Sequence, residues 1–264
     1  MPTTLITGCS SGIGLATARA LKAAGHQVWA TARNAEAVAR LAAEGFTARQ
    51  LDVTHPGAVR ALAAELPALD ILINNAGYGA IGPLLDMPAA ALHAQFDTNV
   101  FALLAVTQAC LPHLRASGGL VVNIGSVSAL LVTPFAGAYC ASKAAVHAIS
   151  DALRMELAPL GVRVMEVQPG AIGTRFADHA STHAEGHLSE ASPWWPQREY
   201  IRHRAQASRQ HGSTPEAVAQ AIARALPHPP RVLRVGRGSR VLPWVVRWVP
   251  ATVLEAVLRR RFGV

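Results

Sequence analysis

Short apolar runs alternate with alanine-rich amphipathic stretches along the first two thirds of the chain. Leu5-Ile6-Thr7 predicts a first strand that stops at a glycine cluster, and a helix follows to about Ala24 with Gly25 as its C-terminal cap. Further strands are predicted over Gln27–Arg33, Thr47–Leu51, Leu69–Asn74, Gly119–Ile124 and Val162–Val167. Leu69–Asn74 is apolar enough for a strand buried on both faces. Helices are predicted over Asn34–Glu44 and from Pro56, which sits at the favoured first-turn position. Another runs from about Pro88 to Arg115 with an interruption near Pro112, and a fifth covers Ala138–Leu157. Strands that alternate with helices imply an α/β fold: a doubly wound parallel sheet with right-handed crossovers, flanked by helices on both faces.

From Ala171 to about Ser213 the rhythm fails. This stretch holds five His, two Pro and the pair Trp194-Trp195, and it is expected to form an irregular lid over a binding site. Pro215–Leu226 then predicts a helix and Val232–Val235 a last strand, followed by a basic C-terminal extension over about 238–264. No internal repeat and no Gly- or Ser-rich linker marks a boundary, so residues 1–264 are expected to form one domain.

Charge sharpens that division. The net charge is +8, yet residues 198–264 carry thirteen Arg and three Glu, a balance of +10, while residues 1–197 balance at −2. The tail mixes Trp244, Trp248, Val and Leu with Arg247 and Arg259–Arg261. It is expected either to lie on an anionic membrane surface or to dock as a C-terminal helix on its own domain or a partner subunit. Pro243 and Pro250 argue against one long interfacial helix. No recognisable nucleic-acid motif accompanies the charge. Three cysteines without paired spacing suit a reducing cytoplasm, and the start Met1-Pro2-Thr3-Thr4 lacks the basic and apolar regions of a signal peptide. No window offers the roughly 20 uninterrupted apolar residues of a membrane span. His179, His183 and His187 recur every fourth residue but lack a ligand framework, so no metal is expected.

In a doubly wound sheet the ligand lies beyond the carboxyl ends of the strands. The first such loop reads Thr7-Gly8-Cys9-Ser10-Ser11-Gly12-Ile13-Gly14 and opens a helix, where glycines let the backbone approach a pyrophosphate at the positive helix end. Asp52 follows strand three, Asn74-Asn75-Ala76-Gly77 follows strand four, and Thr98-Asn99-Val100 lies within a helix. Ser126 follows strand five, thirteen residues before Tyr139, which opens Tyr139-Cys140-Ala141-Ser142-Lys143. Pro169-Gly170 and Thr174 follow strand six. This ordered set resembles the short-chain dehydrogenase/reductase family over residues 1 to about 175, and more loosely beyond.

The resemblance implies a Rossmann-type sheet and an oxidoreductase with Tyr139, Lys143, Ser126 and Asn99 as its catalytic set. It implies cofactor contacts at Gly8, Ser10, Ser11, Gly12, Ile13, Gly14, Arg33, Asp52, Val53, Asn75, Ala76, Gly77, Tyr139, Lys143, Pro169, Gly170, Ile172 and Thr174. Asp52 would hold the adenine, Lys143 the nicotinamide ribose, Ser126 the substrate oxygen and Asn99 a water for proton relay. The family also implies a homo-oligomer.

Elementary chemistry agrees in part. A free phenol has a pKa of about 10, and an ammonium four residues along a helix favours its phenolate. A Tyr–Lys pair is commonplace by itself, but the chain has only two lysines, Lys22 and Lys143, and three tyrosines. Ser128 is the rival to Ser126, and the family's separation of thirteen favours Ser126. Strand two ends Ala30-Thr31-Ala32-Arg33 with no acid for a ribose diol, so Arg33 and Ser11 point to NADP(H) in preference to NAD(H). Thr7–Leu15 and Ala30–Arg33 look most like the branch of 17β-hydroxysteroid dehydrogenases, retinol dehydrogenases and acyl-dihydroxyacetone-phosphate reductases. That likeness implies a small lipophilic ketone or alcohol. The rival reading is a catalytically silent NADP-sensing protein on the same fold.

Overall fold

The computed structural model describes residues 1–173, 188–211 and 213–264. Seven strands form one parallel sheet: β1 (Thr3–Ile6), β2 (Gln27–Ala32), β3 (Thr47–Gln50), β4 (Ile71–Asn74), β5 (Leu120–Ile124), β6 (Arg163–Pro169) and β7 (Val232–Val235). Their spatial order is β3-β2-β1-β4-β5-β6-β7. Winding reverses between β1 and β4, which opens a crevice past their carboxyl ends.

Two helical layers cover the sheet, and the two-residue period of each strand feeds both. Ile6, Ala30 and Val122 meet α1 (Gly12–Ala23) and the helix Pro215–Ala225 through Leu21, Val218 and Ile222. Leu5, Trp29 and Val121 point the other way, onto Val59 and Leu62 of α3 (Pro56–Glu65) and Val106 and Leu114 of the helix Ala102–Ser117. The short α2 (Ala35–Ala43) starts where the Asn34 side chain accepts the Ala37 N–H at 2.8 Å.

The long helical stretch breaks at a different place from the one expected. α4 (Ala89–Phe96) passes through a π-helical turn at Asp97–Phe101 into α5 (Ala102–Ser117), which runs on through Pro112. Proline removes one helical hydrogen bond, which a well-packed helix tolerates. The break falls instead where Asn99 turns its side chain onto the loop after β4. Together Ala89–Ser117 is long and apolar enough on average to cross a membrane, at mean hydropathy 1.2. Leu103, Val106, Cys110 and Leu114 of α5 are nevertheless buried within the helical layers.

After α6 (Gly137–Leu157), the region expected to be irregular contains α7 (Arg198–His211). Its sequence is polar, and among its described side chains Ile201 and Ala205, about one turn apart, are those buried against the body of the fold. Two apolar positions are too few to show a helical period. Next come α8 (Pro215–Ala225), α9 (Leu242–Trp248) and α10 (Ala251–Phe262). The extension docks at its end: Phe262 packs with Ile201 and Trp194, and Gln197 Nε2 donates to the Gly263 carbonyl at 3.3 Å. Trp244 and Trp248 on α9 remain exposed.

Candidate active site

The glycine loop is shaped by contacts with the loop after β4. Gly8 is left-handed (φ +73°), and a Cβ there would lie 2.8 Å from the Ala76 Cα. A Cβ on Gly14 would lie 2.4 Å from both Asn75 Nδ2 and the Gly8 carbonyl oxygen. Asn75 Nδ2 donates to the carbonyls of Thr7 and Gly8, both at 2.9 Å. The Thr7 hydroxyl accepts the N–H groups of Asn75 and Ala76, each at 3.0 Å. At the start of α1, Ser11 makes no side-chain cap and the first turn holds no acid. The leading N–H groups of a helix then lack side-chain partners and favour an anion. Ser10 is exposed beside them, and Ile13 packs onto the core next to Ile6.

Beyond β5 stands the second group. α6 starts shortly before Tyr139, so Tyr139, Lys143 and His147 share one face at four-residue spacing. Burial pushes the Tyr139 phenol up and outweighs a hydrogen bond from Ser126 and the charge of Arg204, which pull it down, so it is left raised. Ser126 also accepts the Ser128 N–H at 3.1 Å, so Ser126 rather than Ser128 is the hydroxyl brought to Tyr139. Lys143 is buried, and its Nζ donates to the Ile124 carbonyl at 2.7 Å. Burial lowers its pKa to about 8, against the opposing pull of the Glu166 carboxylate.

Asn99 occupies the middle of the π-helical turn. Its Oδ1 accepts the Tyr78 N–H at 3.0 Å, and its Nδ2 donates to the Tyr78 carbonyl at 2.9 Å and to Ser142 Oγ at 3.1 Å. Both amide hydrogens are therefore spent on holding the loop after β4 against α6. A Cβ on Gly77 in that loop would lie 3.0 Å from Asn99 Oδ1 and 3.8 Å from Lys143 Nζ, so only glycine leaves this passage open.

The remaining positions lie around the same rim. Arg33 is exposed just past β2, and its charge reaches Asp52 and Tyr78. Asp52 Oδ1 accepts the Thr54 N–H at 2.9 Å and its hydroxyl at 2.7 Å. Burial works to raise the Asp52 pKa, and these bonds outweigh it, leaving it lowered. Val53 beside it is buried under β1 and β2. Pro169 ends β6, and Gly170 approaches the Arg237 backbone so closely that a Cβ would sit 2.2 Å from its carbonyl oxygen. Ile172 bridges to Ser213. Thr174, His179, His183 and His187 lie outside the described residues.

Three features went unread in the sequence. Glu166 on β6 is buried 2.7 Å from His147 Nε2, directly behind Ser126. The spacing from Lys143 to His147 was a usable signal, but an acid within an apolar strand shows no partner until the chain folds. Phe135, four residues before Tyr139, is buried in a left-handed conformation (φ 64°), which a bulky residue rarely adopts. Its carbonyl accepts the Gly82 N–H at 2.7 Å. Finally, α7 brings Arg204 into the neighbourhood of Tyr139.

A family model described as short chain dehydrogenase matches residues 2–185. The chain is 43% identical over 183 residues to the uncharacterized oxidoreductase YbbO of Escherichia coli strain K12, covering 67% of this chain and 68% of that protein. It is 36% identical over 205 residues to the NADPH-dependent 1-acyldihydroxyacetone phosphate reductase of Schizosaccharomyces pombe, covering 75% and 69%. Against human 17-beta-hydroxysteroid dehydrogenase type 1 the identity is 34% over 256 residues, covering 90% and 78%. Among solved structures, a short-chain dehydrogenase from Streptomyces avermitilis superposes with a TM-score of 0.80 at 32% identity, covering 98% and 97%. A short chain dehydrogenase/reductase from Burkholderia phymatum in complex with NAD superposes with a TM-score of 0.81 at 26% identity, covering 93% and 92%.

Proposed function

The chain belongs to the short-chain dehydrogenase family, and on that premise we propose that it interconverts a lipophilic ketone or aldehyde and its alcohol with NADP(H). The observation that carries this reading is the convergence of Ser126, Tyr139 and buried Lys143 beyond the end of β5. When bound, the cofactor supplies or accepts the hydride. Tyr139 gives a proton to the carbonyl oxygen, or takes one from the alcohol, while Ser126 holds that oxygen. Lys143 carries a positive charge at neutral pH, being lowered only to about 8, and so favours the phenolate. Asn99 acts by fixing Tyr78 and Ser142. Its side-chain donors are already used, so a water relay through that amide has no support.

The fit to a dinucleotide rests on the cradle at Gly8 and Gly14, which a single Cβ would fill, and on the uncapped start of α1. Exposed Arg33 at the end of β2, where no acid stands, supports NADP(H). The apolar cluster that includes Cys140, next to Tyr139, supports an apolar substrate surface at its partly exposed Leu188 and Trp194. Exposed Phe101 at the end of the π-helical turn and Leu104 on α5 support self-association. The buried, unpaired Cys9, Cys110 and Cys140 support a cytoplasmic setting, with residues 1–264 acting as one domain.

The test is oxidation of NADPH against steroid, retinoid, acyl-dihydroxyacetone-phosphate and 3-oxoacyl-thioester panels, with wild type and Tyr139→Phe. Tyr139→Phe should lower kcat by about 10²- to 10⁴-fold, the range for general acid–base groups, with NADPH affinity nearly unchanged. Equal turnover by both proteins would refute the mechanism. NADPH binding with no turnover across every panel would favour the silent sensor.

A further inference from the structure

Arg204 stands at an unusual place for a guanidinium. It lies on α7 between Ile201 and Ala205, which are buried against Phe135, Ala136 and Cys140. Its Nε donates to the Thr133 hydroxyl at 2.8 Å, six residues before Tyr139. It feels the charge of both Tyr139 and Cys140, so it lies near the proposed acid/base.

Nothing among the described residues neutralises it. Arg202, two residues away, pairs with Glu199 at 2.9 Å, and Arg198 lies 5.3 Å from the Trp195 ring centroid. Arg204 has no carboxylate partner among the described residues, and the charge nearest in kind is another cation, Arg261 near the end of α10. A guanidinium has five N–H donors, and a single hydroxyl acceptor neither fills them nor offsets the charge. Arg204 is part-buried, and even partial withdrawal of such a charge from water is costly unless an anion pairs with it. An unpaired guanidinium beside an apolar cluster, with the charge of Arg261 adding to its field, matches a ligand with an oxyanion and an alkyl body.

We propose that Arg204, flanked by Arg261, forms a subsite for an anionic phosphate or carboxylate group carried by the substrate next to its reacting carbonyl. This rests on Tyr139 acting as the acid/base and narrows the substrate from a neutral lipophile to an anionic one. The alkyl part lies against the partly exposed Leu188 and Trp194, which pack on the buried Ile81, Phe135 and Ile201, while the oxyanion accepts the unused N–H groups of Arg204. Arg261 reaches the subsite only because the C-terminal segment docks on the lid through Phe262 and Gly263. The basic extension therefore contributes directly to substrate choice.

Two matched pairs test this: palmitoyl-dihydroxyacetone phosphate against palmitoyl-dihydroxyacetone, and 4-oxododecanoate against its methyl ester. With NADPH, wild type should prefer at least one anion over its neutral partner by about tenfold or more in kcat/KM. Arg204→Met should reduce that ratio by about 10- to 100-fold, the scale of one charged hydrogen-bond pair, and Arg204→Lys should recover part of it. The exposed Arg261→Met, which disturbs no core, should lower the same ratio about threefold by the weaker action of an exposed charge. The pair that responds distinguishes phosphate from carboxylate.

An unchanged ratio in Arg204→Met and Arg261→Met overturns the subsite. A parallel fall of both members, with a displaced pH profile, also overturns it, because Arg204 would then act on Tyr139. If wild type turns over none of the four, no ratio exists, and Tyr139 is judged separately on the wider panels given above. The subsite is then judged by binding to NADP+-loaded enzyme, followed by tryptophan fluorescence. Dodecanoate, but not dodecanol, should bind at least tenfold more weakly to Arg204→Met, and equal losses would refute it.

Discussion

Lys143 Nζ donates to the main-chain carbonyl of Ile124 at 2.7 Å, tying the second turn of α6 to the end of β5, two residues before Ser126. Burial lowers the pKa of this ammonium from 10.5 to about 8. Below pH 8 both folded and unfolded chains hold the proton, and the folded state bears the full cost of the buried charge. Between pH 8 and 10.5 only the unfolded chain holds it, so this group's contribution to stability rises with pH. Compared with Lys143→Met, the wild type should therefore gain up to about 3 kcal/mol between pH 7 and pH 10.5. Urea unfolding of both proteins across that range checks it, and a gap that stays constant would contradict the assignment.

Arg33 offers its guanidinium at the rim with no acid beside it on β2. Arg33→Ala should raise the Kd for NADPH by about 10- to 100-fold, the scale of a charge-assisted contact. The Kd for NADH should move by less than threefold. Fluorescence titration with both nucleotides reads the two values, and equal losses would remove Arg33 from the phosphate site.

Gly14 faces Asn75 Nδ2 and the Gly8 carbonyl at a distance no Cβ accepts. Gly14→Ala must push α1 away from the loop after β4, breaking the Asn75 clamp on Gly8. NADPH affinity should fall at least tenfold, with a loss of stability of about 1–3 kcal/mol from overpacking. Isothermal titration and thermal unfolding measure the two effects.

Asn123 on β5 links the elements that carry the site. Its Oδ1 accepts from Asn74 Nδ2 at 3.0 Å and its Nδ2 donates to Ser150 Oγ at 3.0 Å. Asn74 Nδ2 also donates to Thr107 Oγ1 at 2.9 Å, so α5, β4, β5 and α6 share one buried polar chain. Asn123→Ala leaves buried partners unmet and should cost about 2–3 kcal/mol. A cost below 1 kcal/mol in chemical denaturation would show that the chain relaxes around the gap.

Much of this was legible beforehand. The strands that bury both faces are continuous apolar runs, and the helices between them carry an amphipathic period, so the parallel sheet follows from local pattern. Gly8, Gly14, Ser126, Tyr139 and Lys143 stood at recognisable spacings because each is placed by its own strand end or helix turn. Where the reading failed, a distant contact decided the outcome. The helix was expected to break at Pro112, yet it breaks at Asn99, whose amide serves Tyr78 twenty-one residues earlier. The lid was expected to be irregular, yet α7 forms because Ile201 and Ala205 find a surface made by Ile81, Phe135 and Cys140.

The sequence by itself determined the winding of the sheet, the loop that cradles a dinucleotide and the Tyr139–Lys143 pair, since short-range geometry carries all three. Only the tertiary structure decided that Ser126 rather than Ser128 meets Tyr139, that Glu166 lies behind them with His147, and that Arg204 on α7 comes near Tyr139. Those relations depend on charges and hydrogen bonds between residues far apart in sequence. Their energies exist only once folding has removed the groups from water and fixed who faces whom.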